Sequence, residues 1–292
     1  MKIDTALKPE MAHPMEELLR MDRIPHIWCP TCGLGTVVTA FAAAIEKLEM
    51  PLDDIAVVSG IGCTGRVAGY VKIDSFHTTH GRAIPFATGL HLVNPKLKTV
   101  VISGDGDLFS IGGNHFIHAA RRNVDVTIIC VNNFTYAMTG GQVAPTTPLK
   151  ANASTMPYGN FERPFNIPYL ADSCGAVYVA RWSALHVRRL TSAIAEAIAK
   201  PGFSVVEVIS PCSTLYSRRN RLGTGLDLMK FYHDNCDIKH GADTRELDIG
   251  FQERITVGKF IDRDRPTYVQ AMNDWYGQVF GDKFTQYEGS VK

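Results

Sequence analysis

The chain has 292 residues, with 30 basic and 29 acidic side chains for a formal charge of +1, and 45% of it is hydrophobic. That length and apolar content allow a large buried core without disulfides and exclude a disordered, collagenous or coiled-coil chain. The balanced charge argues against a nucleic-acid binder. Residues 1–24 mix acids, bases and prolines without an apolar leader, and runs such as VTIICV at 126–131 are too short to cross a bilayer. A cytoplasmic chain with no membrane contact is expected. Seven cysteines, an odd number, fit a reducing compartment better than a disulfide framework. Cys130, inside TIICV, reads as core, and Cys174 and Cys236 lack close partners and read as small buried residues.

In chain order, 34–48 (LGTVVTAFAAAIEKL) predicts a helix rich in small side chains, and 53–60 (DDIAVVSG) a buried strand running into GIGCTGR. Between 75 and 95 a polar, His-rich turn and a short helix are expected, with Pro85 near its start and Pro95 beyond its end. LKTVVIS (97–103) predicts a strand leading into GDGD, followed by a helix at about 111–122 and a strand at 124–133. After a loop at 139–168 come a strand at 176–181, a helix at 183–200 and a strand at 202–210 ending in Pro211-Cys212. Alternating strands and helices mean βαβ units, hence an α/β fold whose parallel sheet is covered by helices on both faces. Right-handed crossovers bring the strand C-termini to one rim, where open α/β sheets bind ligands. Gly62-Cys63, Gly104-Asp105, Asn132-Asn133 and Pro211-Cys212 all fall just past strand ends, so one shared site is expected. The expected organisation is an N-terminal arm (1–24), an α/β domain (25–216) and a C-terminal extension (217–292). The extension begins basic, becomes helix-like over 217–235, shows no clear strand alternation and is expected to pack on the sheet or on a partner.

SGDGDLFSIGG and VNNFTYAMTGG carry the first constellation. Gly104 and Gly106 permit a tight turn and close approach of the backbone to a ligand. Asp105, the Asn133 amide and the Thr135 carbonyl supply the hard oxygen donors that Mg²⁺ prefers, and a helix N-terminus nearby suits phosphates. GDG followed, about twenty-five residues on, by NN resembles the diphosphate-binding motif of thiamine-diphosphate enzymes. The resemblance implies that Asp105, Asn133 and Thr135 hold Mg²⁺ and that Gly106 and Asp107 lie beside the diphosphate.

Gly60-Ile-Gly62-Cys-Thr-Gly65 also matches the dinucleotide fingerprint G-x-G-x-x-G. That fingerprint requires a following helix and a second strand ending in an acid about 20 residues on. Around position 80 the chain reads FHTTHGRAIP instead, and NAD binding is set aside.

Cys29 and Cys32 form a C-x-x-C loop opening onto a helix, while Cys63 and Cys212 sit on the strand rim. Four thiolates suit either Zn²⁺ or a [4Fe–4S] cluster. The spacing C-x2-C-x30-C-x148-C lacks the second local C-x-x-C of a zinc ribbon. A cluster on the same rim as a thiamine site is the favoured reading.

CPTCG, GIGCTGR, HTTHGRAIPFATGL, GDGD, NNFTYAMTGGQVAPTTP and PCSTLY, in that order, resemble the thiamine-binding β-subunit of 2-oxoacid:ferredoxin oxidoreductases, most closely the 2-oxoglutarate branch. The resemblance spans about 25–260 and implies that Cys29, Cys32, Cys63 and Cys212 hold one [4Fe–4S] cluster. Thr31 stands where CPGCG is the commoner form. The implied reaction is CoA-dependent, reversible oxidative decarboxylation of 2-oxoglutarate to succinyl-CoA and CO₂, with electrons passing through the cluster to ferredoxin.

The same resemblance assigns the remaining residues. Arg66 is a candidate for the distal carboxylate of 2-oxoglutarate. His80 and Arg82, near His77, are candidate catalytic groups at the reacting carboxylate. Tyr136, Thr139 and Gln142, which follow the metal loop, would contact diphosphate or line the pocket, and the basic run Arg218, Arg219 and Arg221 is either a solvated face or a surface that attracts acidic ferredoxin or CoA phosphates. Because only the diphosphate-binding module is present, activity is expected to need a larger α-subunit supplying the activating Glu and much of the CoA and substrate pocket, in one αβ unit or a pair. The alternatives are a pyruvate-specific relative and a zinc-stabilised nucleotide-binding subunit without redox chemistry.

Overall fold

The computed structural model describes residues 15–210 and 212–290; residues 1–14 of the expected arm and Pro211 lie outside the described residues. The predicted strands form as β1 (Ile55–Ser59), β3 (Lys98–Gly104), β4 (Val126–Asn132), β7 (Tyr178–Ser183) and β8 (Ser204–Ile209). The predicted helices form as α1 (Leu34–Leu48), α2 (Ala83–Val93), α3 (Gly113–Arg122) and α5 (Val187–Ala199). A short helix α4 (Ile167–Ser173) closes the long loop before β7.

Alternation along each strand sends side chains to two apolar layers. On one face Val57, Val100, Ile102, Ile129 and Val206 pack with α1 and α5, whose alanines (Ala40, Ala44, Ala193, Ala197) let the two helices approach closely. On the other, Val58, Val101, Ile128 and Val205 pack with α2, α3 and Phe203. Cys130 is fully buried in this second layer.

The structure departs from or adds to the expectations in three places: the stretch before α2, the segment after residue 217 and the loop after β4. β2 (Asp74–His77), in the stretch expected to be a turn, is a parallel edge strand beside β1. Segment 217–292 adds α6 (Gly225–Asn235), β9 (Cys236–Ile238), β10 (Ile255–Asp262) and α7 (Tyr268–Phe280). β10 pairs antiparallel with β7, so the sheet is mostly rather than wholly parallel, in the order β2-β1-β3-β4-β8-β7-β10-β9. β5 (Thr135–Tyr136) and β6 (Gln142–Val143) form a separate hairpin above the β4 end. In the N-terminal arm, Leu18 and Leu19 are buried and Leu19 bridges Val71. Among the described residues, no helix is long and apolar enough to cross a membrane.

Candidate active site

The ends of β1, β3 and β4 converge on one rim, as the strand pattern requires. After β1 the chain makes a 3₁₀ turn over Thr64–Gly69, not the helix a dinucleotide fingerprint needs, and β2 ends in His77 rather than an acid. The glycines there allow the chain to fold tightly on itself: a Cβ at Gly65 would lie 2.0 Å from the Gly60 carbonyl oxygen.

Asp107 holds the rim loops together. Its Oδ1 accepts from the Ile61 amide (3.1 Å), the Gly81 amide (2.7 Å) and His80 Nδ1 (2.6 Å), and its Oδ2 from Ser103 Oγ (2.8 Å). The buried carboxylate lines a cavity, and four donors occupy its oxygens, which makes it a clasp for the loops around that cavity. By donating from Nδ1, His80 is held in one ring orientation at the cavity wall, leaving Nε2 for other chemistry.

The adjacent cavity, about 240 Å³, contains Gly104, Asp105, Gly106, Asn133, Thr135 and Tyr136. Asp105 is 3% exposed and accepts from the Thr146 hydroxyl; burial pushes its carboxyl up to about 7, and that hydrogen bond only partly opposes the rise. A buried carboxyl of this kind is stabilised as the anion by a cation beside it. Asn133 Oδ1 accepts from the Thr135 amide at 3.3 Å, placing carboxylate, amide and backbone carbonyl oxygens on neighbouring turns. This all-oxygen set fits Mg²⁺. The Tyr136 ring lies against Gly106 and its hydroxyl donates to the Gly106 carbonyl (3.2 Å). Thr139 lines the same cavity and closes the hairpin through Gln142: Thr139 Oγ1 donates to Gln142 Oε1 at 2.7 Å.

Cys29, Cys32, Cys63 and Cys212 line a second cavity of about 220 Å³, enclosed by apolar groups such as Trp28, Leu34 and Leu215. Cys63, Asn133, Ala137 and Met138 line both cavities, which therefore share a wall. Burial and the neighbouring cysteines push the Cys63 thiol up to about 11, and burial raises Cys32 as well. Among the described residues, no three His, Cys, Asp or Glu side chains gather closely enough to hold a single metal ion. Four thiols around a cavity fit a polynuclear iron–sulfur group, whose ligands sit at separate corners.

The loop that carries the first two cysteines is tightly folded. Thr31 is left-handed (φ +64°) and its hydroxyl donates to the Pro30 carbonyl, while the Cys32 amide donates to the Cys29 carbonyl at 3.1 Å. The preference for glycine at this position follows from that φ. Trp28 Nε1 donates to the Cys63 carbonyl (2.8 Å), tying the loop to the turn after β1.

Two expected residues fall outside the cavity that Asp105 lines. Arg66, exposed, lines a neighbouring cavity of about 490 Å³ together with Arg23 and His77. Arg82 is exposed at the start of α2, where its side chain donates to the Gly81 carbonyl and raises the positive potential at His115. Of the basic run, all three arginines are exposed, and Arg219 donates to the Gly140 carbonyl (3.0 Å). Sequence reasoning did not single out Thr146, Ser103 or Arg23. Thr146 lies in the quoted PTTP stretch, but its pairing with Asp105 depends on a long-range loop.

The rim, the oxygen donors and the clasped loops define a thiamine-diphosphate-binding α/β unit. Residues 60–208 match the family model of the thiamine pyrophosphate enzyme C-terminal, TPP-binding domain. The chain is 46% identical over 270 residues to the 2-oxoglutarate synthase subunit KorB of Methanothermobacter marburgensis, covering 91% of this chain and 92% of the relative. To its namesake from Methanocaldococcus jannaschii it is 46% identical, covering 89% of this chain and 96% of that one. A solved structure of 2-oxoglutarate:ferredoxin oxidoreductase from Magnetococcus marinus, with 2-oxoglutarate, coenzyme A and succinyl-CoA bound, superposes with a TM-score of 0.81 at 31% identity, covering 94% of this chain and 93% of its own. The chain belongs to the thiamine-diphosphate-binding β-subunits of the 2-oxoacid:ferredoxin oxidoreductases.

Proposed function

We propose that the chain is the β-subunit of a 2-oxoglutarate:ferredoxin oxidoreductase, a cytoplasmic enzyme that converts 2-oxoglutarate and CoA to succinyl-CoA and CO₂ and passes electrons to ferredoxin, and that it works only with a larger α-subunit. The observation that carries this reading is the shared wall: Cys63 and Asn133 line both the oxygen-donor cavity and the four-cysteine cavity. Asp105, Asn133 and the Thr135 carbonyl are assigned to Mg²⁺, and Gly104, Gly106, Tyr136 and Thr139 to the diphosphate. Asp107 holds the surrounding turns. Cys29, Cys32, Cys63 and Cys212 are assigned to one [4Fe–4S] cluster. Bound there, thiamine diphosphate supplies the carbanion chemistry that decarboxylates a 2-oxoacid, and the cluster supplies one-electron transfer.

The chain's own residues give that chemistry its setting. Tyr136 and the hairpin above β4 cover the diphosphate cavity, and the clasp through Asp107 fixes His80 at its wall. His80 is assigned a proton-handling role at the reacting carboxylate through Nε2. Arg82, outside the cavity, keeps a role only if the α-subunit brings substrate to the start of α2.

Arg66 is assigned to the distal carboxylate of the substrate, with Arg23 beside it in the same cavity. The test is a CoA-dependent assay of the copurified complex with 2-oxoglutarate and pyruvate, using a low-potential acceptor. A strong preference for 2-oxoglutarate that falls in Arg66→Ala, through a higher KM for that acid alone, supports both the substrate and the residue. Preference for pyruvate overturns the substrate, and an unchanged preference in Arg66→Ala overturns the residue.

A further inference from the structure

The turn that carries Asn133 and Thr135 has an unfavourable backbone. Phe134, between them, is left-handed (φ +65°) although it is bulky and buried, and bulky residues enter that region only where the surroundings enforce it. Asn132 Oδ1 accepts from the Phe134 amide (3.2 Å), and the Thr147 hydroxyl donates to the Phe134 carbonyl (2.7 Å). Asn132 is itself held: its Nδ2 donates to Glu207 Oε1 at 2.7 Å. The other oxygen of Glu207 accepts from Arg181 Nε at 2.6 Å, in an ion pair of which each side chain is 1% exposed. Arg181 in turn donates to the Leu247 carbonyl (2.9 Å), in the segment that leads to β10.

A buried charge pair is costly to desolvate and is weak support for stability in its own right. What this pair does is spatially defined. Residue 181 lies opposite 207 in the β7–β8 register, and Cys130, two residues before Asn132, lies opposite Glu207 in the β4–β8 register. One carboxylate thus spans three adjacent strands and ends at the side chain that pins the turn.

We propose that Arg181, Glu207 and Asn132 form a positioning brace for the metal-binding turn, holding Phe134 left-handed so that the Asn133 side chain and the Thr135 carbonyl face the cavity together. The brace touches neither metal nor substrate; it acts through backbone geometry. This rests on the reading of Asn133 and Thr135 as metal ligands.

The test titrates Mn²⁺, followed by EPR in the presence of thiamine diphosphate, into the complex with its larger partner, for wild type, Asn132→Ala, Glu207→Gln and Asn133→Ala. Circular dichroism verifies that each variant is folded at the titration temperature. Partners that orient metal ligands typically contribute about 10–100-fold in affinity. A weakening of that size in Asn132→Ala and Glu207→Gln, with unchanged folding at that temperature, supports the brace. Should Glu207→Gln fail to fold, Asn132→Ala, which keeps the ion pair, decides alone. Wild-type affinity in Asn132→Ala while Asn133→Ala loses Mn²⁺ overturns the brace. Wild-type affinity in Asn133→Ala instead overturns the ligand assignment on which it rests.

Discussion

Gly106 is required for space rather than for backbone freedom. Its φ and ψ (−64°, −38°) are those of an ordinary helical residue, so Gly106→Ala carries no conformational penalty of its own. The added Cβ, however, would lie 2.3, 2.7 and 2.8 Å from three atoms of the Tyr136 ring, where ordinary contact begins at 3.4 Å. The ring must therefore retreat by about 1 Å, into the cavity it lines or away from the Gly106 carbonyl it donates to. Overpacking of this kind costs about 1–3 kcal/mol. If the ring enters the cavity, a comparable loss falls on thiamine diphosphate affinity, about tenfold for each 1.4 kcal/mol. Thermal unfolding and calorimetric cofactor binding should be measured for Gly106→Ala, Tyr136→Ala and the double variant. The double variant should be nearly as stable as Tyr136→Ala alone, with a coupling above about 1 kcal/mol. Additive losses, or a Gly106→Ala chain that unfolds and binds like wild type, would refute the reasoning.

Other perturbations separate structure from chemistry. Asp105→Asn removes a buried charge that only the Thr146 hydroxyl and nearby amides stabilise, so cofactor-free stability should be kept or raised while Mg²⁺-dependent thiamine diphosphate binding is lost; intact binding by calorimetry would remove Asp105 from the metal site. Thr31→Gly relieves left-handed strain at a β-branched residue, worth about 1–3 kcal/mol, against about 0.5–1 kcal/mol of glycine entropy. A rise of a few degrees in Tm with unchanged iron content is expected, and a fall would show that the Thr31 contacts outweigh the strain. His91 is buried and among the described residues its Nδ1 has no partner, and burial holds its pKa below the usual value. Because the unfolded chain then binds the extra proton, stability should fall as pH drops through about 6.5 and below. Chemical denaturation from pH 8 to 5.5 should show a shallower decline in His91→Gln, and parallel curves would exclude this residue as the cause.

Much of this architecture was legible in local patterns. The apolar periodicity of LGTVVTAFAAAIEKL marks α1 at its observed limits, Leu34–Leu48, and the buried runs mark β3, β4 and β8. β2 escaped notice because DSFH is an edge strand that is mostly exposed and carries no apolar alternation. β10 buries Ile255, Val257 and Phe260, a spacing whose period-two phase breaks at the register shift between Lys259 and Ile261, and its antiparallel pairing with β7 depends on contacts across the chain that no local pattern encodes.

The same distinction applies to the site. Strand ends are local, so the convergence of Asp105, Asn133, Cys63 and Cys212 could be anticipated from their positions after apolar runs. Side-chain direction within a turn is not local. The 3₁₀ turn after Cys63 carries Arg66 into the neighbouring cavity, and the four donors to Asp107 come from two separate loops and the end of β3.

The most direct measurement of the central claim is EPR of the anaerobically purified complex mixed with 2-oxoglutarate in the absence of an external acceptor. About four iron atoms per β-chain and a reduced-cluster signal that grows on adding the oxoacid are expected. Colourless protein carrying zinc, or an iron centre whose spectrum ignores the substrate, would contradict it.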